Sequence, residues 1–66
     1  MHVILTKGPH RVRVTTSGNI VETVYDVDGT GFTGVPFRHT VDDPEALAQE
    51  YVDSYLDDGW TVAEKA

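Results

Sequence analysis

Two aspartates one residue apart and followed by Gly-Thr, Asp26-Val27-Asp28-Gly29-Thr30, are the residues of this chain best suited to chemistry. Carboxylates placed so closely can share a divalent cation, or one can attack an electrophile while the other moves a proton. Aspartate and glycine also build turns for reasons unrelated to catalysis. Asp bonds its own backbone, and Gly takes positive φ without steric penalty. The surrounding elements must decide between the two.

The five residues resemble the first motif of haloacid dehalogenase-like phosphatases. That resemblance implies Asp26 as nucleophile, Asp28 as acid/base, Thr30 as a phosphate contact and magnesium between them. The family also needs a parallel sheet with crossover helices and a distant lysine. This chain offers one helical segment, and its lysines are Lys7 and Lys65. As a calcium loop, Asp26 and Asp28 fit the first and third positions of an EF-hand and Gly31 the sixth. Phe37 then falls where the bidentate glutamate is required, and no helix enters. The segment is therefore expected to be a turn, with Asp26 and Asp28 at most a weak metal or ligand site in the 26–31 loop.

The other chemistries have less support. His2, His10 and His39 lack metal-ligand spacing, although His39 falls among the apolar residues of a strand. There is no cysteine, which excludes disulfides, thiol catalysis and cysteine-zinc sites. No serine sits in a nucleophile elbow, and no phosphate-binding glycine motif is present. The expectation is a protein that is not an enzyme and carries no cofactor.

The elements can be read from periodicity. His2–Thr6 is a short apolar run, and Lys7-Gly8-Pro9-His10 a turn. Arg11–Thr16 alternates, with Val12 and Val14 on one side and Arg11, Arg13 and Thr15 on the other, as a half-buried strand does. Ser17-Gly18-Asn19 is a second turn, and Ile20–Tyr25 a β-branched third strand. Residues 26–34 form a loop. Val35–Val41 alternates again, and Pro36 consigns it to an edge or lies near its start.

From Asp42 the period becomes helical. Asp42 and Glu45 fit a capping box, with Pro44 in the first turn. Leu47, Ala48, Tyr51, Val52, Tyr55 and Leu56 share one half of the wheel, and Gln49, Glu50, Asp53 and Asp57 the other. Gly59 ends the helix, and Trp60–Ala63 is a short strand or tail. The predicted fold is α+β: about four antiparallel strands in ββββα order, a short C-terminal strand, and one helix packed on one face. The opposite face, carrying Arg11 and Arg13, is expected to be wet. This order of a Gly-rich hairpin, "DDPEALAQEY" and "DDGWTV" resembles the small WGR domain of DNA-repair proteins. Tyr25-Asp26-Val27 stands where Trp-Gly-Arg belongs, so the chain is not assigned to that family.

Sixty-six residues make a single compact domain, 1–66, burying roughly 60% of the unfolded surface. No segment reaches the ~20 apolar residues of a membrane span, and the run in MHVILTK is too short for a signal peptide. A cytoplasmic protein is expected. Charge is lopsided within the total of −6. Residues 1–38 set Lys7, Arg11, Arg13 and Arg38 against Glu22, Asp26 and Asp28. Residues 39–66 set eight carboxylates against Lys65. Lys7, Arg11 and Arg13 could make a basic ribbon for nucleic acid, but the net charge disfavours that partner.

Asp57 and Asp58 sit where a helix dipole favours cations. With Glu50 and Asp53 they form an acidic strip ending near Trp60. The functional expectation is a small acidic protein-interaction module or modulator, such as mobile genetic elements encode, that binds a basic protein through Glu50, Asp53, Asp57, Asp58 and Trp60. The alternatives are a mimic of nucleic-acid charge, or a weak metal or ligand module built on the 26–31 loop. A homodimer through an edge strand, or through a wet sheet face carrying Val21 or Tyr25, is a further expectation.

Overall fold

A computed structural model describes every residue except Asp28 and Thr30. It contains strands β1 (His2–Lys7), β2 (His10–Ser17), β3 (Ile20–Asp26) and β4 (Phe37–Thr40), helix α1 (Pro44–Asp57) and strand β5 (Thr61–Lys65). All strand pairs are antiparallel, in the order β4-β3-β2-β1-β5. The α+β class with one helix on one sheet is as the sequence indicates, with five strands in place of four. The last segment is a full edge strand beside β1. β4 forms the other edge, and Pro36 falls just before its first residue, outside the ladder.

Register assigns each side chain to a face. Val3 pairs with Val14, Leu5 with Val12, and Thr16 with Val21, so these residues share the face that α1 covers. Val3, Leu5, Val12, Val14 and Val21 form the core there with Ala48 and Val52 of α1. Gly18 adopts φ 59°, the positive value that the first position of a two-residue hairpin turn needs when the strands keep their twist.

Several expectations are corrected. Val21 is fully buried on the helix face, and Tyr25 packs against the same core. Neither stands on a wet face. The cap of α1 is Asp43, whose Oδ1 accepts from the Ala46 N–H at 3.2 Å. Pro44 explains the shift from Asp42, because the residue before a proline is pushed out of the helical region and so becomes the cap. Glu45 instead reaches β2, where its Oε1 accepts from the Thr16 hydroxyl at 2.6 Å. Leu56 is largely exposed, since α1 seats on Ala48 and Val52. Val35 lies outside β4 and is 82% exposed.

The second face of the sheet is not simply wet. Ile4, Val24 and Asp26 are buried there. Thr33 N–H donates to the Gly31 carbonyl at 2.9 Å, a three-residue turn that presents Phe32 at its tip. The Phe32 ring centroid lies 4.8 Å from the Arg11 guanidinium and 4.9 Å from that of Arg13. Arg13 stands between Ile4 and Val24 in register, so the three side chains share this face.

Candidate functional site

Asp26 ends β3 and is 1% exposed, facing β2. Its Oδ2 accepts from Arg11 Nε at 3.0 Å and from Nη2 at 2.5 Å. The Arg11 hydrogen bond, with its positive charge, holds the carboxyl below its ordinary 3.8 against the opposing effect of burial. The backbone N–H groups of Gly29 and Gly31 approach the carboxylate and add to the lowering. Oδ1 makes no well-formed hydrogen bond among the described residues. The guanidinium thus takes the place on Oδ2 that a cation would occupy. Asp28 and Thr30, the other residues of the phosphatase-like and calcium readings, lie outside the described residues. Among the described residues no group of three or more His, Cys, Asp or Glu could hold a metal.

The basic residues are divided by the sheet. Lys7 reaches the end of α1, where Nζ donates to the Asp58 carbonyl at 2.6 Å and lies 3.6 Å from its carboxylate. This cation, supplied from β1, compensates the acidic helix end. Arg11 and Arg13 point to the opposite face beneath Phe32. Cross-strand partners occupy the same face, and Lys7 lies one position out of phase with the Thr6↔Arg11 pair. The three do not form one patch.

The acidic residues are segregated on α1. Glu50, Asp53 and Asp57 are exposed, and among the described residues no cation lies within ion-pair distance of them. Asp53 accepts from Gln49 at 2.9 Å. Asp58 is engaged by Lys7. Trp60 is half-buried, with its ring edge-on to Tyr55 at 5.3 Å and to Tyr25 at 6.4 Å between centroids. The Tyr25 and Tyr55 hydroxyls bond each other, and burial, followed by this bond, raises the Tyr55 pKa.

A cleft that sequence reasoning missed opens between α1 and β4. It has a volume of about 450 Å³ and is walled chiefly by Tyr25, Phe37, His39, Tyr51, Ser54 and Tyr55. The cleft exists because α1 lies over β2, β3 and β5, leaving every residue of β4 exposed. Phe37 is 59% exposed beside it. The His39 ring stands 6.2 Å from that of Tyr51 across the gap. The sequence signal was present in the alternation that puts Phe37 and His39 on one side, but where the helix falls across the sheet is not written in any local pattern.

Among the described residues no helix is long and apolar enough to cross a membrane. No family model matches the chain, and neither a curated protein nor a solved structure is significantly similar to it.

Proposed function

We propose that the chain is a noncatalytic protein-interaction module whose acidic α1 face docks on a basic surface of another protein. The observation that carries this reading is the unequal pairing of charge. Lys7, Arg11 and Arg38 each have a carboxylate partner at 3.6 Å or less, whereas Glu50, Asp53 and Asp57 meet solvent with no cation beside them among the described residues. Three of the five lysines and arginines are thus paired with carboxylates within the fold, while the α1 strip faces outward. Such a strip steers a basic partner and sets its orientation.

Phe37 is better placed than Trp60 to act as the aromatic anchor of such a contact, since Trp60 is committed to Tyr25 and Tyr55. The supporting experiment is a pull-down from native lysate at two salt concentrations, with the wild type beside E50K/D53K/D57K. These positions are exposed, so the variant is expected to fold. Loss of a basic partner in the variant, with weaker capture at high salt, supports the reading. The same partners captured by both proteins would falsify it.

A further inference from the structure

The free edge of β4 and the cleft beside it form one surface. Val41 N–H donates to the Asn19 carbonyl at 2.8 Å. In an antiparallel strand the direction of these groups alternates, so Phe37 and His39 bond toward β3. The N–H and C=O groups of Arg38 and Thr40 therefore lie on the outer edge. Among the described residues no backbone hydrogen bond reaches them.

Charge lies on the same side. Ser54 lines the cleft, and Glu50, Ser54 and Asp57 recur at i, i+4 and i+7, one ridge of a helix. The two carboxylates bracket the serine, about 10 Å apart along the axis at 1.5 Å per residue. Among the described residues no lysine or arginine lines the cleft. An extended chain laid beside β4 would direct alternate side chains toward Phe37, Tyr51 and this acidic ridge. Lysines four residues apart on such a chain are about 13 Å apart, within reach of both carboxylates through their flexible stems.

We propose that this surface binds an extended basic segment of a partner protein as a sixth strand, with an apolar side chain in the Phe37–Tyr51 cleft and flanking cations toward Glu50 and Asp57. This is recognition by strand addition, in which backbone bonds supply affinity and pockets for alternate side chains supply choice. The inference rests on the acidic-module reading and names where on the module the partner lies. A second copy of this chain is a poorer occupant, because each copy carries −6 and like charges oppose pairing.

The test is an amide chemical-shift titration with acetyl-Lys-Thr-Leu-Thr-Lys-amide, beside its Glu-for-Lys counterpart. The basic peptide is expected to move Phe37–Thr40 and Tyr51–Tyr55 saturably, with affinity falling about tenfold between about 50 and about 300 mM salt. T40P removes one outward N–H while leaving the β3 ladder intact, a place where an edge strand tolerates proline. It should keep the wild-type spectrum outside β4 and weaken binding at least about tenfold. Several outcomes overturn the proposal: equal binding of the acidic peptide, undiminished binding by T40P, saturation of the same shifts by acetyl-leucine amide alone, or a dimer in sedimentation that T40P dissolves. Shifts confined to Glu50, Asp53 and Asp57 also overturn strand addition while leaving the acidic-face reading standing, and the charge-reversal pull-down judges that reading independently.

Discussion

The two faces of this sheet are closed by different means. On one, α1 brings Ala48 and Val52 onto a surface of valines and Leu5, and the residues in contact are almost wholly apolar. On the other, the segment after β3 brings a single aromatic ring over two arginines, and the most deeply buried group is a carboxylate. The first is held by removal of hydrocarbon from water, which needs no particular geometry. The second depends on an ion pair and two cation–π contacts, which need specific partners and respond to pH. The same strand, β2, serves both: its valines face the helix and its arginines face the loop.

The largest break in this comparison is expected on the helix face. L5A should cost about 2–5 kcal/mol, against a total of roughly 3–10 for a chain of this length, so the variant approaches unfolding in a urea titration. Next comes R11M, which keeps the aliphatic stem but strands the Asp26 carboxylate without its counter-charge. Its melting temperature should fall at neutral pH and partly recover in R11M/D26N, since replacing both partners is milder than removing one.

The pH response sharpens the same contrast. The folded Asp26 pKa lies below 3.8, the ordinary value it regains on unfolding. Its contribution to stability is therefore full above 3.8 and lost as pH falls through the lower folded value. Urea midpoints measured from about pH 5 to about pH 2 should decline in the wild type and decline less steeply in D26N. Glu45, lowered by its bond to Thr16 and by the N-terminal amine, acts in the same direction from the helix face. E45Q should remove only its own share of that decline. In R11M the main cause of the lowering is gone and burial opposes what the Gly29 and Gly31 N–H groups still contribute, so the decline should be shallower than in the wild type.

F32A is expected to have a smaller effect. Losing two cation–π contacts of about 0.5–1 kcal/mol each should lower stability by about 1–2 kcal/mol in denaturant titration and expose Ile4 and Val24 to faster hydrogen exchange in their strands. K7M comes last. Lys7 and Asp58 are both solvent-exposed, so removing the cation should cost at most about 1 kcal/mol, seen as fraying of the last helical turn.

The edges of the sheet repeat the contrast on a smaller scale. β5 carries a register shift opposite Ile4 and Leu5 and ends in Glu64 and Lys65, features that discourage further pairing. β4 shows no such shift in its pairing with β3, and the aromatic cleft adjoins it. That difference leaves β4 the more regular of the two edges.

The sequence determined the elements of this protein because their signals are local. Alternation of Val12 and Val14 with Arg11 and Arg13 specifies a half-buried strand, and the spacing of Ala48, Tyr51, Val52 and Tyr55 specifies a helix with one apolar side. Gly59, at φ 91°, stops that helix for the conformational reason its type suggests. The solvent-facing placement of Glu50, Asp53 and Asp57 follows from the same spacing. What only the tertiary structure decided depends on partners distant in the chain. Arg11 meets Asp26 fifteen residues away, and Lys7 meets Asp58 fifty-one residues away. The burial of Asp26, the roof made by Phe32 and the cleft beside β4 all arise from the order in which strands pair and the line along which α1 crosses them. No periodicity within one segment encodes that line, because it is set by the fit of whole surfaces against one another.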